Sequence, residues 1–301
     1  MSIHVTFRQL KVFLALAEHG SISTAARKCH VTQPTVSMQL REIAKAVGLP
    51  LYEVIGKQVF LTAAGEELAR SARAMLDEWE AFSQRVAGAK GLTAGQLRVA
   101  VVSTAKYFVP RLLGAFCQRF GDIDIALEVL NRDGVLQRLR DNRDDLYIMS
   151  KPPTDIDIVQ QAFLPNPLVV VAPLSHPLVS RRSLTLKQLA GDRFILREKG
   201  SGTRLACDAH FRTHAFQPKV RLELGSNEAI KQAVAGGMGL AVLSTHALGA
   251  NIKEQSLAVL PVKHFPIHAN WFVVHLKAKR LSPLATAFLE QLSSNTSRTL
   301  D

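Results

Sequence analysis

Apolar residues recur at helical steps from the start of the chain. In TFRQLKVFLALAEHG, Leu10, Phe13, Leu14 and Ala17 fall on one face, Thr6 and Gln9 form the Thr-x-x-Gln signature of a capping box, and Gly20 stops the segment. SISTAARKCH predicts a second, short helix capped by Ser21 or Ser23, with Ala25 and Ala26 small enough to admit a neighbouring helix. Thr32 then caps QPTVSMQLREIAKAVG, whose Pro34 sits in the first turn, where its missing N–H costs nothing. Its buried stripe is Val36, Leu40, Ile43 and Val47. LPLYEVIGKQVFLT reads as a hairpin of two β-prone runs around Gly56-Lys57. Residues 63–90 place Leu68, Ala72, Met75, Trp79, Phe82 and Val86 at three- and four-residue steps, a long amphipathic helix that ends in the glycines of GAKGLTAG.

Beyond residue 95 the period changes. QLRVAVVS, DIDIALEVL and DLYIM read as strands separated by the helices VPRLLGAFCQRF and GVLQRLRDN. A second set follows: PLVVVAP, RFILRE, a helix near 203–214, KVRLEL, the helix SNEAIKQAVAGG, and GLAVLS; WFVVHL and the helix SPLATAFLEQL come last. Such alternation predicts an α/β module of mostly parallel sheets with ligands at the strand carboxyl ends. A late return to the first set gives two subdomains around a cleft, as in periplasmic binding proteins. The expected organisation is a helical head at 1–62, a linker helix at 63–90 and a module at 91–301. Within that module, subdomain I covers about 95–162 and 267–301, and subdomain II about 163–266.

Composition narrows the class. With 301 residues, 47% hydrophobic and 21% charged, the chain is an ordinary globular protein of two or three domains. It has no apolar run near the roughly 20 residues that span a bilayer, and MSIHVTFRQL shows no export signal. Three scattered cysteines, Cys29, Cys117 and Cys207, are no disulfide framework. The expectation is a cytoplasmic protein with free thiols and no membrane association. The net charge of +12 favours a polyanionic partner. The excess is spread, however: residues 1–62 hold seven Lys/Arg against three Glu, and residues 91–301 hold 26 basic against 17 acidic residues. Charge alone does not choose between DNA, an anionic ligand and solubility.

Between the buried positions of the third helix, Gln33, Thr35, Ser37, Met38 and Arg41 face outward. Amides and hydroxyls near a helix N-terminus suit base edges, and an arginine one turn later suits phosphate. The competing reading is a small helical docking domain that contacts protein. SISTAARKCHVTQPTVSMQLREIAKAVGLPLYEVIGKQVFLTAAG then resembles the winged helix-turn-helix of LysR-type transcriptional regulators, in its Ala-Ala pair, TQPTVS, the Leu-Tyr pair opening the wing and the closing LTAAG. The resemblance implies a third helix in the major groove of an interrupted inverted repeat of double-stranded DNA. By position it puts Gln33, Pro34, Thr35 and Ser37 against that DNA, and Ser23, Thr32, Met38, Arg41 and, on the wing, Lys57 complete the candidate contacts. Val54 stands where the family usually has arginine, which leaves the wing contacts to Lys57 and Gln58. The family further implies pairing through the linker helix, a dimer of dimers and contact with RNA polymerase.

Ser103-Thr104-Ala105-Lys106 has the Ser-x-x-Lys spacing of a serine nucleophile beside a lysine base. The chain lacks the Lys-Thr-Gly and Gly-x-Ser-x-Gly segments that would accompany such an active site. A strand-to-helix junction also cradles anions on free backbone N–H groups, and simple capping by Ser103 is the third reading. LREKGSGTR, with helix entry at Thr203, and GSNEAIKQ, capped by Ser226 or Asn227, repeat the junction. Ser103, Thr104, Lys106, Arg132, Arg197, Ser201, Thr203, Arg204 and Asn227 are thus the candidate ligands of a small anion in one cleft. STAKYFVPRLLGAF, SKPP, LREKGSGTR and LGSNEAIKQAVAGGMGLAVLS resemble the CbbR-like branch of the LysR family. That branch implies control of Calvin-cycle genes and response to a sugar phosphate, a phosphoenolpyruvate-like acid or NADPH. Cys207, His210 and His214 share a helix face but lack a fourth ligand, so they read as packing residues and no metal is expected.

Overall fold

The computed structural model describes residues 3–56, 58–89, 94–249 and 251–298. The chain divides into two compact units, Met1–Lys90 with Asp141–Arg143, and Gly91–Arg140 with Asp144–Asp301.

The first unit is a winged helix-turn-helix followed by a long helix. Its elements are α1 (Phe7–His19), α2 (Ile22–Lys28), α3 (Gln33–Val47), β1 (Tyr52–Ile55), β2 (Gln58–Leu61) and α4 (Ala63–Ala89). The capping box at Thr6 and Gln9 is formed, and Gly20 and Gly48 end α1 and α3 at φ of 60° and 77°, backbone that glycine adopts without strain. Ser21, not Ser23, caps α2, accepting from the Thr24 N–H at 3.4 Å. Ala25 and Ala26 are buried, together with Leu10, Phe13, Val36, Leu40 and Ile43, in the core of the head. Val47 is only half-buried, while Gln39, which the apolar stripe omits, is buried. β1 and β2 pair antiparallel from Tyr52↔Leu61 to Ile55↔Gln58. The stripe of α4 divides along its length: Ala69 and Ala72 are buried against the head, whereas Met75, Trp79, Phe82 and Val86 are exposed.

Among the described residues the second unit consists of two five-stranded sheets with helices. In chain order its elements are β3 (Ala94–Val102), α5 (Val109–Arg119), β4 (Asp122–Leu130), α6 (Arg132–Arg140), β5 (Leu146–Met149), β6 (Ile158–Pro165), β7 (Leu168–Pro173), β8 (Arg193–Arg197), α7 (Gly202–Thr213), β9 (Lys219–Leu224), α8 (Asn227–Ala235), β10 (Leu240–Ser244), β11 (Leu257–Leu260), β12 (Asn270–Leu276) and α9 (Pro283–Arg298). The first sheet has the order β4-β3-β5-β12-β6 and the second β11-β7-β10-β8-β9.

Both sheets are mixed, not mostly parallel. β4, β3 and β5 run parallel, but β12 is antiparallel to β5 and β6; β10, β8 and β9 run parallel, but β7 is antiparallel to β10 and β11. The cause lies in the crossings between the sheets: β7 and β12 enter from the neighbouring subdomain without a covering helix to reverse them. The two crossings run side by side. Asn166 N–H donates to Ala269 O at 2.7 Å, and Leu168 and Ile267 exchange bonds of 3.0 and 2.9 Å. The two sheets thereby share a two-stranded hinge. The carboxyl ends of β3, β4, β5, β8 and β9 meet the residues singled out above.

Candidate functional site

On the head, the N-terminal turn of α3 presents the sequence-selected side chains. Gln33, Pro34, Met38 and Arg41 are exposed, Thr35 and Ser37 half-buried, and Ser23 lies exposed on α2. Thr32 caps α3, accepting from the Thr35 N–H at 3.4 Å, with its hydroxyl 2.8 Å from that of Thr35. The cap fixes the start of α3 and leaves Gln33 free to extend from it. Arg41 is held one turn along by its Nε donating to Ser37 O at 3.2 Å. Lys57, the wing residue, lies outside the described residues.

In the second unit, the strand ends converge on a buried guanidinium. Arg197, last residue of β8 and 4% exposed, donates from Nη1 to Thr104 Oγ1 at 3.1 Å and Asn227 Oδ1 at 2.9 Å, and from Nη2 to Ser103 Oγ at 3.2 Å. Its Nε and Nη2 also grip Glu198 Oε2 and Oε1 at 2.7 and 2.8 Å. Asn227 Nδ2 donates to Thr104 Oγ1 at 3.0 Å, which knots the two subdomains together at their centre. Ser103, Thr104, Arg132, Ser150, Arg197, Glu198, Ser201, Gly202 and Thr203 line a crevice that encloses about 10 Å³, the space of one water. Trp271 closes one side, and its buried indole N–H has no protein partner among the described residues. Arg132 is half-buried, anchored by Nε to Lys151 O at 3.1 Å, and burial draws its guanidinium below the usual arginine value. Two guanidinium groups, five hydroxyls and one carboxylate thus share a small enclosed space.

The structure corrects parts of the expected ligand set. Ser103 caps no helix: Ser103–Tyr107 is a 3₁₀ turn that precedes α5, and its Val102 cap position supplies no side-chain bond. Lys106 does not approach Ser103; its Nζ donates to Glu228 Oε2 at 3.0 Å. Ser103 meets the permanently protonated Arg197 instead, which has no capacity to accept its proton. The Ser-Lys dyad is therefore not assembled. Arg204 does not line the crevice either, because Asp208 and Glu223 hold it in ion pairs of 2.9 and 3.0 Å and its Nη1 donates to Arg197 O. Ser201, not Thr203, begins α7 as its cap, and Ser226 caps α8, which frees Asn227 for Arg197. Glu198, Ser150 and Trp271 are the crevice residues that strand-end reasoning missed. Glu198 was the most accessible of them, sitting next to a strand-end arginine. Of the discounted helix face, Cys207 is buried in the core, where burial pushes its thiol up, and the His210 ring meets that of His214 at a tilt of 57°, with centroids 4.5 Å apart.

A second tie crosses the cleft at Glu228. Burial by itself raises this carboxyl, but hydrogen bonds from Tyr107 and Lys106 outweigh it and hold the group at about 2, below its ordinary 4.5. A depressed folded value contributes stability that is present above pH 4.5 and is lost as pH falls from 4.5 through about 2. The side chain is 48% exposed, so solvent screens the effect and keeps it small. Unfolding by urea at stepped pH checks this: Glu228→Gln flattens the fall in stability across that window and leaves the neutral plateau nearly level.

The comparisons with known proteins agree with this geometry. Residues 7–66 match the bacterial regulatory helix-turn-helix protein, lysR family, and residues 90–297 the LysR substrate binding domain. The chain is 47% identical over 293 residues to a RuBisCO operon transcriptional regulator of Acidithiobacillus ferrooxidans, spanning 97% of this chain and 95% of that one. It is 43% identical to the transcriptional activator CmpR of Synechocystis, over 96% and 95% of the two chains. The regulatory domain of CcmR from Synechocystis, solved in complex with 2-PG, is 49% identical, covers 67% of this chain and 97% of its own, and superposes with a TM-score of 0.64. With a winged head, a long helix and a two-sheet module joined at a hinge, the chain belongs to the LysR family of transcriptional regulators.

Proposed function

We propose that this chain regulates transcription of carbon-fixation genes of the RuBisCO-operon type in response to a small phosphorylated acid. The observation that carries the reading is the convergence of Arg132, Arg197 and the hydroxyls of Ser103, Thr104, Ser201 and Thr203 at the strand ends of a hinged module. A two-carbon acid with a phosphate and a carboxylate, such as 2-phosphoglycolate, presents two anionic ends to two guanidinium groups. The 49%-identical CcmR domain is one solved with that ligand. A sugar phosphate, a phosphoenolpyruvate-like acid and NADPH share the same anionic chemistry and remain competitors for the site.

In this reading α3 enters the major groove. Gln33 reads base edges while Thr32, Pro34, Thr35, Ser37 and Met38 fit the groove wall; Arg41, Ser23 and Lys57 hold phosphates. The exposed Met75, Trp79, Phe82 and Val86 of α4 are covered by the α4 of a second copy. Two such dimers assemble on an interrupted inverted repeat, next to RNA polymerase, in the cytoplasm; no helix of the described residues is long and apolar enough to cross a membrane. Ligand shifts the assembly only as far as it binds the two arrangements of the module with different affinity.

Footprinting on the DNA upstream of the gene, with and without 2-phosphoglycolate, ribulose bisphosphate, phosphoenolpyruvate and NADPH, tests this. We expect protection of an interrupted palindrome whose extent one of these ligands changes. Gln33→Ala costs about 1–3 kcal/mol on that palindrome. Arg41→Ala weakens all duplexes alike and lowers the salt slope by about one. Absence of salt-sensitive protection, with both variants behaving as wild type, refutes the DNA reading.

A further inference from the structure

The guanidinium at the centre of the cleft is fully occupied. All of the donors an arginine possesses are used: Nε by Glu198, Nη1 by Thr104 and Asn227, Nη2 by Glu198 and Ser103. Three of these contacts come from neutral groups that fix the plane of Arg197. The remaining two form a side-on carboxylate fork, at 2.7 and 2.8 Å, of the kind an arginine makes with an anionic ligand. The carboxylate is also the more exposed partner, 28% against 3% for the Arg197 side chain. The backbone of Glu198 is pinned at both ends, its N–H to Leu224 O at 3.1 Å and its carbonyl to the Ser201 N–H at 3.2 Å. Only the side chain therefore has to turn for the fork to open.

We infer that Glu198 is a specificity-determining residue that occupies the ligand's place on Arg197 and is displaced toward solvent when an anion binds. This rests on the cleft being the ligand site. An incoming group has to outcompete a resident carboxylate of the same geometry. A second carboxylate alone gains little by the exchange, because it replaces one fork with an equal one. A phosphate, with more charge and three acceptor oxygens, gains net hydrogen bonding. The crevice thereby discriminates against simple carboxylic acids without a steric barrier.

Calorimetric titration of the full chain with 2-phosphoglycolate, and with glycolate as the phosphate-free probe, tests the inference. Glu198→Gln removes the competing charge, and Glu198→Asp keeps the charge on a stem one methylene too short to span the fork from an adjacent residue. Both variants are expected to bind 2-phosphoglycolate about ten-fold more tightly, the scale of a mostly buried ion pair that no longer has to be broken. Glycolate, undetectable or weak with wild type, gains in the same direction. Tightening in Glu198→Gln alone marks a through-space charge effect and overturns the displacement. If wild type binds, Arg197→Ala weakens binding, and neither Glu198 variant tightens it, Glu198 is a permanent brace for Arg197 and the inference fails while the cleft reading stands. If Arg197→Ala binds as wild type does, the cleft reading itself fails and Glu198 with it.

Discussion

Arg197→Ala is expected to reduce 2-phosphoglycolate affinity by about 100-fold or more, the equivalent of losing two charge-assisted hydrogen bonds of about 1.5–3 kcal/mol each. The side chain is 4% exposed and ends β8, where its guanidinium bonds Ser103 and Thr104, just past β3, and Asn227 at the start of α8. Arg132 reaches the crevice from a different element and is tied by its Nε to Lys151 O. The variant also strips partners from Thr104, Asn227 and Ser103, all of which bond the guanidinium. Part of the loss will therefore show as lower stability of the module. Arg197→Lys separates the two effects: it keeps the charge but has no planar fork, and a Lys at a bidentate site recovers only part of the affinity. Titration calorimetry of the three proteins, with thermal unfolding alongside, is the measurement. The head is a separate compact unit, so duplex affinity in the absence of ligand should stay near wild type. Undiminished 2-phosphoglycolate binding in the folded Arg197→Ala protein would remove Arg197 from the site.

The parts of the molecule legible in the sequence are those fixed by short-range physics. Thr6 with Gln9, Thr32 and the glycines at 20 and 48 punctuate helices through bonds three or four residues long, and each cap is formed. Buried central strands such as LVVVAP and LAVLS read directly as apolar runs. β6 did not, because IVQQAFLP is an edge strand with only Phe163 buried and a terminal proline. β11 was missed for a related reason: four residues carry too little periodicity to stand out from a loop. At the cleft, the strand-end rule selected Ser103, Thr104, Arg132, Arg197, Ser201 and Thr203, which share one crevice. It failed for Lys106 and Arg204 because their fates are set by partners it had no means of placing. Glu228 lies 122 residues from Lys106, and Glu223 approaches Arg204 from the neighbouring strand β9. A basic residue near a strand end is a candidate ligand only when no acidic side chain from another element claims it first, and that depends on register. Glu198 is hidden for the opposite reason: an acidic side chain does not itself mark an anion site, and only its place beside the strand-end Arg197 points to it.

Gly65→Ala should unfold the head at temperatures where wild type is folded, for a reason local to the start of α4. A Cβ built on Gly65 lies 1.9 Å from Leu51 O and 2.9 Å from Leu51 C, both main-chain atoms with no rotamer to turn away. The approach is fixed by several bonds. Thr62 N–H donates to Leu51 O at 3.1 Å, Thr62 Oγ1 donates to Pro50 O at 2.7 Å, and the same oxygen accepts from the Gly65 N–H at 3.1 Å. Leu51 itself is 1% exposed in the core formed by α1, α2 and α3. The added methyl must push α4 outward, breaking the Thr62 bonds, or push Leu51 into side chains that have no free volume. Overpacking of this kind costs about 1–3 kcal/mol, and more where backbone cannot relax. The helix propensity gained by replacing glycine with alanine offsets only about 1 kcal/mol. The clash therefore decides the sign. Gly114 in α5 is the matched control, because its Cβ meets nothing within 4 Å and Gly114→Ala should raise stability by about 0.5–1 kcal/mol. Calorimetric unfolding resolves the two cases, and duplex binding gives an independent reading of the head: Gly65→Ala loses the low-temperature transition and the footprint together, while Gly114→Ala keeps both. A Gly65→Ala protein that melts and binds DNA like wild type would show that α4 can leave Leu51 without cost to the head.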